Sequence, residues 1–441
     1  MNGSEISGSI ILVCVGGPDL GKRLAITPQS STIGRSASCE VASDDPDSAE
    51  RHVTISLRDN QPVFKTEEGA VAFLDGQRRS EGTLQTGQQL RIGRSLWQIA
   101  NPAAANNVSS FFGSLSERIS EAAGVEKLEG FDPATMFSEV FRKRTDEELE
   151  HYFAAGTPLT TPPLSQVETT WPKPWLFVKI FVLAALVYLG FVFALNQFQN
   201  PILIPGLLTI GAFVIPFSLL IFFFEINVVR NVPLYQIGKL LFLGGILSVI
   251  LSLFLFRWTH LHDWLGAMSA GIIEEAGKGA ALFLVINKLK YRWTLNGMLF
   301  GAAVGAGFAS FESAGYAFLD GAYGSDAMLH SITQRGILSI FGGHVLWTAL
   351  VGGALWRVRG AKKFHWEMLK DVRFLRVYAL CAAMHMIWNS PLQLPFLLKY
   401  IALGFVAWVA LLSFIQSGLR QIRAAQSTGA TEFFKRESLL A

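Results

Sequence analysis

The chain has 441 residues, of which 51% are hydrophobic and only 16% charged, with a net charge of +3. Soluble proteins carry about a quarter charged residues; with a mean hydropathy of +0.36, this composition excludes both an ordinary cytosolic enzyme and a disordered chain. The small net charge gives no support to nucleic-acid binding, and Cys14, Cys39 and Cys381 form neither a disulfide framework nor a cysteine zinc site.

The apolar run from Ser9 to Val15 lacks a preceding basic residue and is too brief for a signal peptide, so it reads as a first strand. Further short strands are predicted at 23–27, 53–57, 62–66, 72–75, 89–93 and 96–100. Turn signals such as Gly16-Gly17 and Asp75-Gly76 separate them, a pattern that indicates a β-sandwich over residues 1–102. Residues 103–174 are polar and read as a linker. Amphipathic helices are predicted within it at 107–123, with Phe111, Phe112, Leu115 and Ile119 on one face, and at 132–155. The first of these would lie on the membrane surface or dock on the head, and residues 157–174, with five prolines, would be irregular.

From Trp175 onward the chain is a series of apolar runs. Spanning a hydrocarbon core takes roughly 20 residues. Eight spans are predicted, at 175–195, 202–224, 240–256, 264–286, 295–318, 336–356, 372–389 and 396–417, with a tail at 418–441. One set of loops, with the tail, holds fourteen Lys and Arg; the alternate loops hold two, Arg257 and Arg335. That imbalance places both termini in the cytoplasm. The fold class expected is therefore a multi-domain chain, an all-β sandwich followed by an α-helical polytopic membrane domain.

The ionisable groups within the spans carry the functional signal, because burying them in a bilayer costs several kcal/mol. They are Glu274, Glu275 and Lys278 in span four, Glu312 in span five, His344 in span six, and His385 with Asn389 in span seven. Glu274 and Lys278 share a helix face, and Glu275 points about 100° away. At about 1.5 Å per residue, Glu274, Glu312, His344 and His385 fall in the same outer half of the bilayer, with His344 roughly 12 Å inside its span. Carboxylates taken out of water can serve as general bases, imidazoles can hold or polarise a water, and an Asn amide can stabilise an oxyanion. The same residues also suit a catalytic zinc, with Glu312, His344 and His385 as the ligands expected if a metal is present. No tightly spaced ligand pair of the HExxH kind occurs, so no cofactor is expected and zinc stays open.

Two resemblances follow from these residues. Ile33-Gly34-Arg35-Ser36, Glu50-Arg51-His52-Val53, Phe73-Leu74-Asp75-Gly76 and Leu90-Arg91-Ile92-Gly93 resemble a forkhead-associated (FHA) domain. The resemblance implies Arg35 as a phosphate contact; the family serine position holds Ala49, with Ser48 adjacent, and the asparagine position falls near Ala70. It implies a phosphoprotein or other protein partner, while Arg35 also reads as a surface arginine bridging loops. Glu274-Glu275-Ala276-Gly277-Lys278, Phe308 to Glu312, Gly343-His344 and His385 to Asn389 resemble the motifs of PrsW-type intramembrane proteases, relatives of the CAAX prenyl endopeptidases. That resemblance implies a glutamic-type intramembrane endopeptidase. In it Glu274 or Glu275 activates water, His344 and His385 position it, Asn389 stabilises the oxyanion and Lys278 pairs with a glutamate. It further implies a membrane-protein substrate in a lipid bilayer, such as an anti-sigma factor, and a bacterial inner-membrane location. The competing readings are a catalytically inactive scaffold that recruits partners through the head, and a proton-coupled transporter.

Overall fold

A computed structural model describes residues 10–27, 29–58, 61–85, 87–99, 115–129, 131–286 and 288–430. Phe111, Phe112 and the tail residues beyond 430 lie outside them. The chain divides into two compact units, Met1–Ser114 and Leu115–Ala441.

The first unit is a β-sandwich of eleven strands: β1 Ile10–Gly16, β2 Arg23–Ile26, β3 Ser31–Gly34, β4 Val41–Ala42, β5 Val53–Arg58, β6 Gln61–Thr66, β7 Ala72–Leu74, β8 Gln77–Arg79, β9 Glu81–Thr83, β10 Leu90–Ile92 and β11 Ser95–Ile99. They form two sheets, ordered β2-β1-β11-β10-β7-β8 and β4-β3-β5-β6-β9. Alternation along β5 and β10 turns Val53, Ile55, Leu90 and Ile92 inward onto Leu12, Ile33, Phe64 and Trp97, all fully buried. The strands at 31–34, 41–42, 77–79 and 81–83 are additions to the seven expected; they are two to four residues long, too short to show alternation.

The second unit is helical. Its membrane-directed helices are α1 Leu176–Phe198, α2 Ile204–Ile226, α3 Gly245–Thr259, α4 Ala270–Val285, α5 Thr294–Asp320, α6 Ser325–Ser339, α7 His344–Arg359, α8 Val372–Asn389 and α9 Leu398–Thr428. Among the described residues, six helical stretches are long and apolar enough to cross a membrane. The segments that carry Glu274 and His385, α4 and α8, fall short of that measure: they have 16 and 18 residues and hold the ionisable groups. The predicted sixth span, 336–356, is not one helix. It breaks between α6 and α7, where Gly342 and Gly343 take φ of +141° and +71°, a region that costs a residue with a Cβ.

α5 lies at the centre, with 94% of its apolar window buried, against 6% for α1. Its glycines explain the close approach of α7. A Cβ at Gly297, Gly301 or Gly305 would sit 2.4, 2.1 and 2.4 Å from the backbone oxygens of Gly352, Thr348 and His344. The two helices therefore meet main chain to main chain, as small residues allow in membranes. α1 is tied down at its start by Glu225 of α2, which accepts backbone N–H bonds from Trp175, Leu176 and Phe177 and a bond from the Tyr152 hydroxyl. Those donors have no partner within their own helix.

The segment before α1 packs on the membrane helices. Residues 115–122 are helical; Ile119 is buried, and the Ser120 hydroxyl meets that of Ser413 on α9 at 2.8 Å. Gln416 bonds Lys127 O and Glu129 N, and Arg420 pairs with Glu126 and Glu129. Of the helix predicted at 132–155, only Pro133–Met136 and Asp146–Phe153 form, the second started by a capping box between Thr145 and Glu148.

Candidate active site

The tight contact of α5 with α7 and the Gly342–Gly343 break together place His344 as the first residue of α7. This corrects the expectation that it lies deep inside a continuous span. Its ring faces α5 and α4. Nε2 is 3.1 Å from Glu312 Oε2 on α5, Nδ1 is 2.9 Å from Lys278 Nζ on α4, and the ring centre is 4.9 Å from that of Phe308. Because the ammonium can only donate, Nδ1 accepts and Nε2–H donates to Glu312.

On α4, Lys278 also donates to Glu275 at 2.6 Å. The lysine therefore pairs with the glutamate three residues back rather than with Glu274, four back. Glu275 Oε1 in turn accepts from His385 Nδ1 on α8 at 2.9 Å, so His385 Nε2 carries the free lone pair. That nitrogen lies 3.8 Å from Glu274 Oε2, and His344 Nδ1 lies 4.0 Å from the same oxygen. Glu274 Oε2 is buried and has no hydrogen-bond partner. Trp347 packs its indole over His385, with ring centres 4.6 Å apart.

These groups border a cavity of about 450 Å³ at one end of the bundle. Glu274, Glu312, His344, His385 and Asn389 line it, whereas Glu275 and Lys278 lie behind it. Asn389 is the last residue of α8 and stands at the cavity wall.

One residue of the site was counted as a loop charge in the sequence. Arg335, on α6, donates from Nη2 to Glu312 Oε2 at 2.5 Å and from Nε to Ser313 Oγ at 3.1 Å. Its signal is weak, because nothing in the spacing from 312 to 335 links the two helices.

The charges sort by partner. Lys278 neutralises Glu275 and Arg335 neutralises Glu312. Glu274 has no cation of its own. Its orphaned oxygen and the two imidazoles also form the one group of possible metal ligands found among the described residues, with donor atoms within 4.8 Å of one another. This replaces the expected set, in which Glu312 stood where Glu274 does; Glu312 is engaged by both Arg335 and His344. A His₂Glu set fits zinc, on condition that Lys278 gives up His344 and keeps Glu275.

In the head, Arg35 is exposed. Ser48, expected beside it as a phosphate contact, is instead 2% exposed, and its hydroxyl accepts from Ser43. It belongs to a buried network in which Asp19 accepts from Ser43, Ser95, Lys22 and the Asp44 N–H, and Asp45 accepts from the N–H groups of Asp47 and Arg94 and from Ser95.

Residues 172–415 match the family model described as PrsW family intramembrane metalloprotease, and residues 31–93 match that of the FHA domain. No curated protein matches the chain. Similar solved structures include the FHA domain of the CT664 protein from Chlamydia trachomatis, 15% identical over 21% of this chain and 98% of that one, with a TM-score of 0.20. The FhaA FHA domain complexed with the intracellular domain of Rv3910 is 19% identical over 21% of this chain and all of its own, with a TM-score of 0.20. The FHA domain of an Arabidopsis thaliana hypothetical protein is 22% identical over 23% of this chain and 92% of that one, with a TM-score of 0.21.

Proposed function

The chain belongs to the PrsW family of intramembrane metalloproteases, and from that premise we propose that it hydrolyses peptide bonds of membrane proteins with Glu274 as the water-activating base. The observation that carries this reading is the buried, unpartnered Glu274 oxygen facing two imidazoles on the cavity wall. A carboxylate with no cation of its own and no donor is placed to take a proton from water. Glu275 acts one step back: it fixes the His385 tautomer and leaves Nε2 free to hold the water, while Lys278 offsets its charge. His344 donates from Nε2 to Glu312, and in the open cavity Asn389 can supply an amide N–H to the developing oxyanion. Glu274, His344 and His385 are the residues that would hold zinc, and Glu274 would then be a ligand, with the metal in place of the base as the activator of water. When bound, zinc would supply Lewis-acid polarisation of the carbonyl and a more acidic water.

The cavity lies at the bundle end reached by the short helical turns Leu261–Leu265 and Gly266–Ser269, and the basic residues gather on the opposite loops. Cleavage is therefore proposed on the extracytoplasmic side, with both termini cytoplasmic in a bacterial inner membrane. The head is proposed to recruit or regulate through a protein partner.

The test is proteolysis of a panel of single-span membrane proteins in liposomes by wild type and by the Glu274→Ala/Glu275→Ala double variant, with and without a chelator. Cleavage by wild type alone supports the reading; equal cleavage by the double variant overturns it. Loss with chelator that zinc restores assigns the metal, and indifference to chelator assigns Glu274 acting alone.

A further inference from the structure

Arg335 stands outside the four motifs that mark the site, yet it grips the site from a separate helix. Its guanidinium reaches three residues on one face of α5: Glu312, Ser313 and, by stacking at 4.5 Å, the ring of Tyr316. The fork contacts Glu312 and Ser313 through two nitrogens, Nη2 and Nε, held in one rigid plane, a fixed geometry that the single nitrogen of an ammonium lacks. Glu312 Oε2 is shared between this fork and His344 Nε2. Arg335 and His344 also bracket the Gly342–Gly343 break, one on the last turns of α6 and the other at the start of α7. A glycine pair at positive φ does not by itself fix the direction in which α7 sets out.

Resting on the protease reading above, we propose that Arg335 is a positioning residue: by clamping Glu312, it closes the α6–α7 joint and holds the His344 ring in the orientation that the reaction needs. Glu312 alone would not suffice. Without a cation it would be a second uncompensated carboxylate beside Glu274, repelled from the same cavity. With the arginine in place it is a fixed acceptor, and His344 is held at Nε2 by Glu312 and at Nδ1 by Lys278. The arginine does its work through Glu312; no contact joins it to His344.

The experiment uses the full-length chain in liposomes, with Arg335→Gln, Arg335→Lys, Glu312→Gln and the Glu312→Gln/Arg335→Gln pair. Arg335→Gln is expected to lower kcat by about tenfold or more, as loss of orientation does, with KM within about twofold. Arg335→Lys, which restores the charge without the fork, is expected to recover part of the loss. The double variant should be no worse than the poorer single one, since both break the same link. A second readout needs no cleavage: diethylpyrocarbonate modification of His344, followed by mass spectrometry in chelator-treated protein. It should be several-fold faster in Arg335→Gln than in wild type, because a ring no longer fixed through Nε2–H can turn from Lys278 and expose the Nδ1 lone pair that the reagent acylates, and Arg335→Lys should fall between. A rise in KM at constant kcat would make the arginine a substrate contact and overturn the proposal, as would unchanged His344 labelling. If wild type cleaves nothing, the protease reading is what fails, and the labelling alone decides the positioning role.

Discussion

Asp19 and Asp45 in the head and Glu274 in the membrane unit are all buried acids, with 1%, 0% and 8% of their surface exposed, yet their oxygens are served differently. Each oxygen of the two aspartates accepts at least one hydrogen bond from a serine hydroxyl, a backbone N–H or Lys22. Burial pushes both carboxyls up, but those donors outweigh it and hold both below the usual carboxylate range. Glu225 is hydrogen-bonded as fully, with four donors on its two oxygens. Glu274 Oε2 has none, and no cation pairs with it; Glu275 Oε2 also lacks a donor, but Glu275 is held through Oε1 by Lys278 and His385. A buried acid that is fully served holds loops together; one left unserved is available to a proton or a metal.

The sharpest way to break this contrast is within α4 itself. Glu274→Gln is expected to reduce cleavage by about a thousandfold or more while leaving thermal stability nearly unchanged. Glu275→Gln strips Lys278 of its partner inside the protein, and a buried pair broken on one side costs about 3–5 kcal/mol. It should therefore lower stability as well as turnover. Calorimetry showing the reverse order would exchange the roles of the two glutamates.

In the head, Asp45→Ala leaves the backbone N–H groups of Asp47 and Arg94 short of an acceptor, and should destabilise the sandwich by about 2–4 kcal/mol. Hydrogen exchange at Trp97 and its neighbours in the full chain would report it. The acids also set a pH window. Their folded values lie below the ordinary 3.8, so their stabilisation is complete above that value and is lost as pH falls through the folded one. The head should keep constant protection from pH 8 to 5 and lose it in stronger acid; protection unchanged down to pH 2 would show that the network does not stabilise. The smallest effects concern the loops. Ser48→Ala removes one internal hydrogen bond and should cost about 1 kcal/mol, with partner binding untouched. Arg35→Ala should change stability by less than about 0.5 kcal/mol, so any loss of partner capture on an affinity column would report recognition alone.

Much of the site was legible because helix spacing is local. Glu274, Glu312, His344 and His385, which helix rise sets in one half of the bilayer, stand together with Asn389 on the wall of one cavity. The choice of Glu275 as the partner of Lys278 was not legible: i,i+3 and i,i+4 neighbours are equally reachable on an isolated helix, and the approach of α7 and α8 decides between them. The break before His344 was hidden by an apolar run that continues across it, and its glycines read as ordinary span residues. Arg335 read as a loop charge because the first part of α6, Ser325 to Arg335, is mostly polar and falls outside the apolar run. In the head, the strands long enough to alternate were readable. The burial of Ser48 was not, since its network joins loops up to 76 residues apart in sequence.

The glycine ladder of α5 has a consequence for how this protein can change. Because α5 and α7 touch through their main chains, the gap between Glu312 and His344 is set by atoms that every amino acid shares, and the surrounding apolar side chains do not determine it. Those side chains are free to drift, much as a machine's casing can be restyled around a fixed bearing. The ladder is where drift stops. A single methyl group at Gly301 would wedge the helices apart at the Thr348 carbonyl, so the width of the cavity is held at the ladder, whatever the side chains around it become.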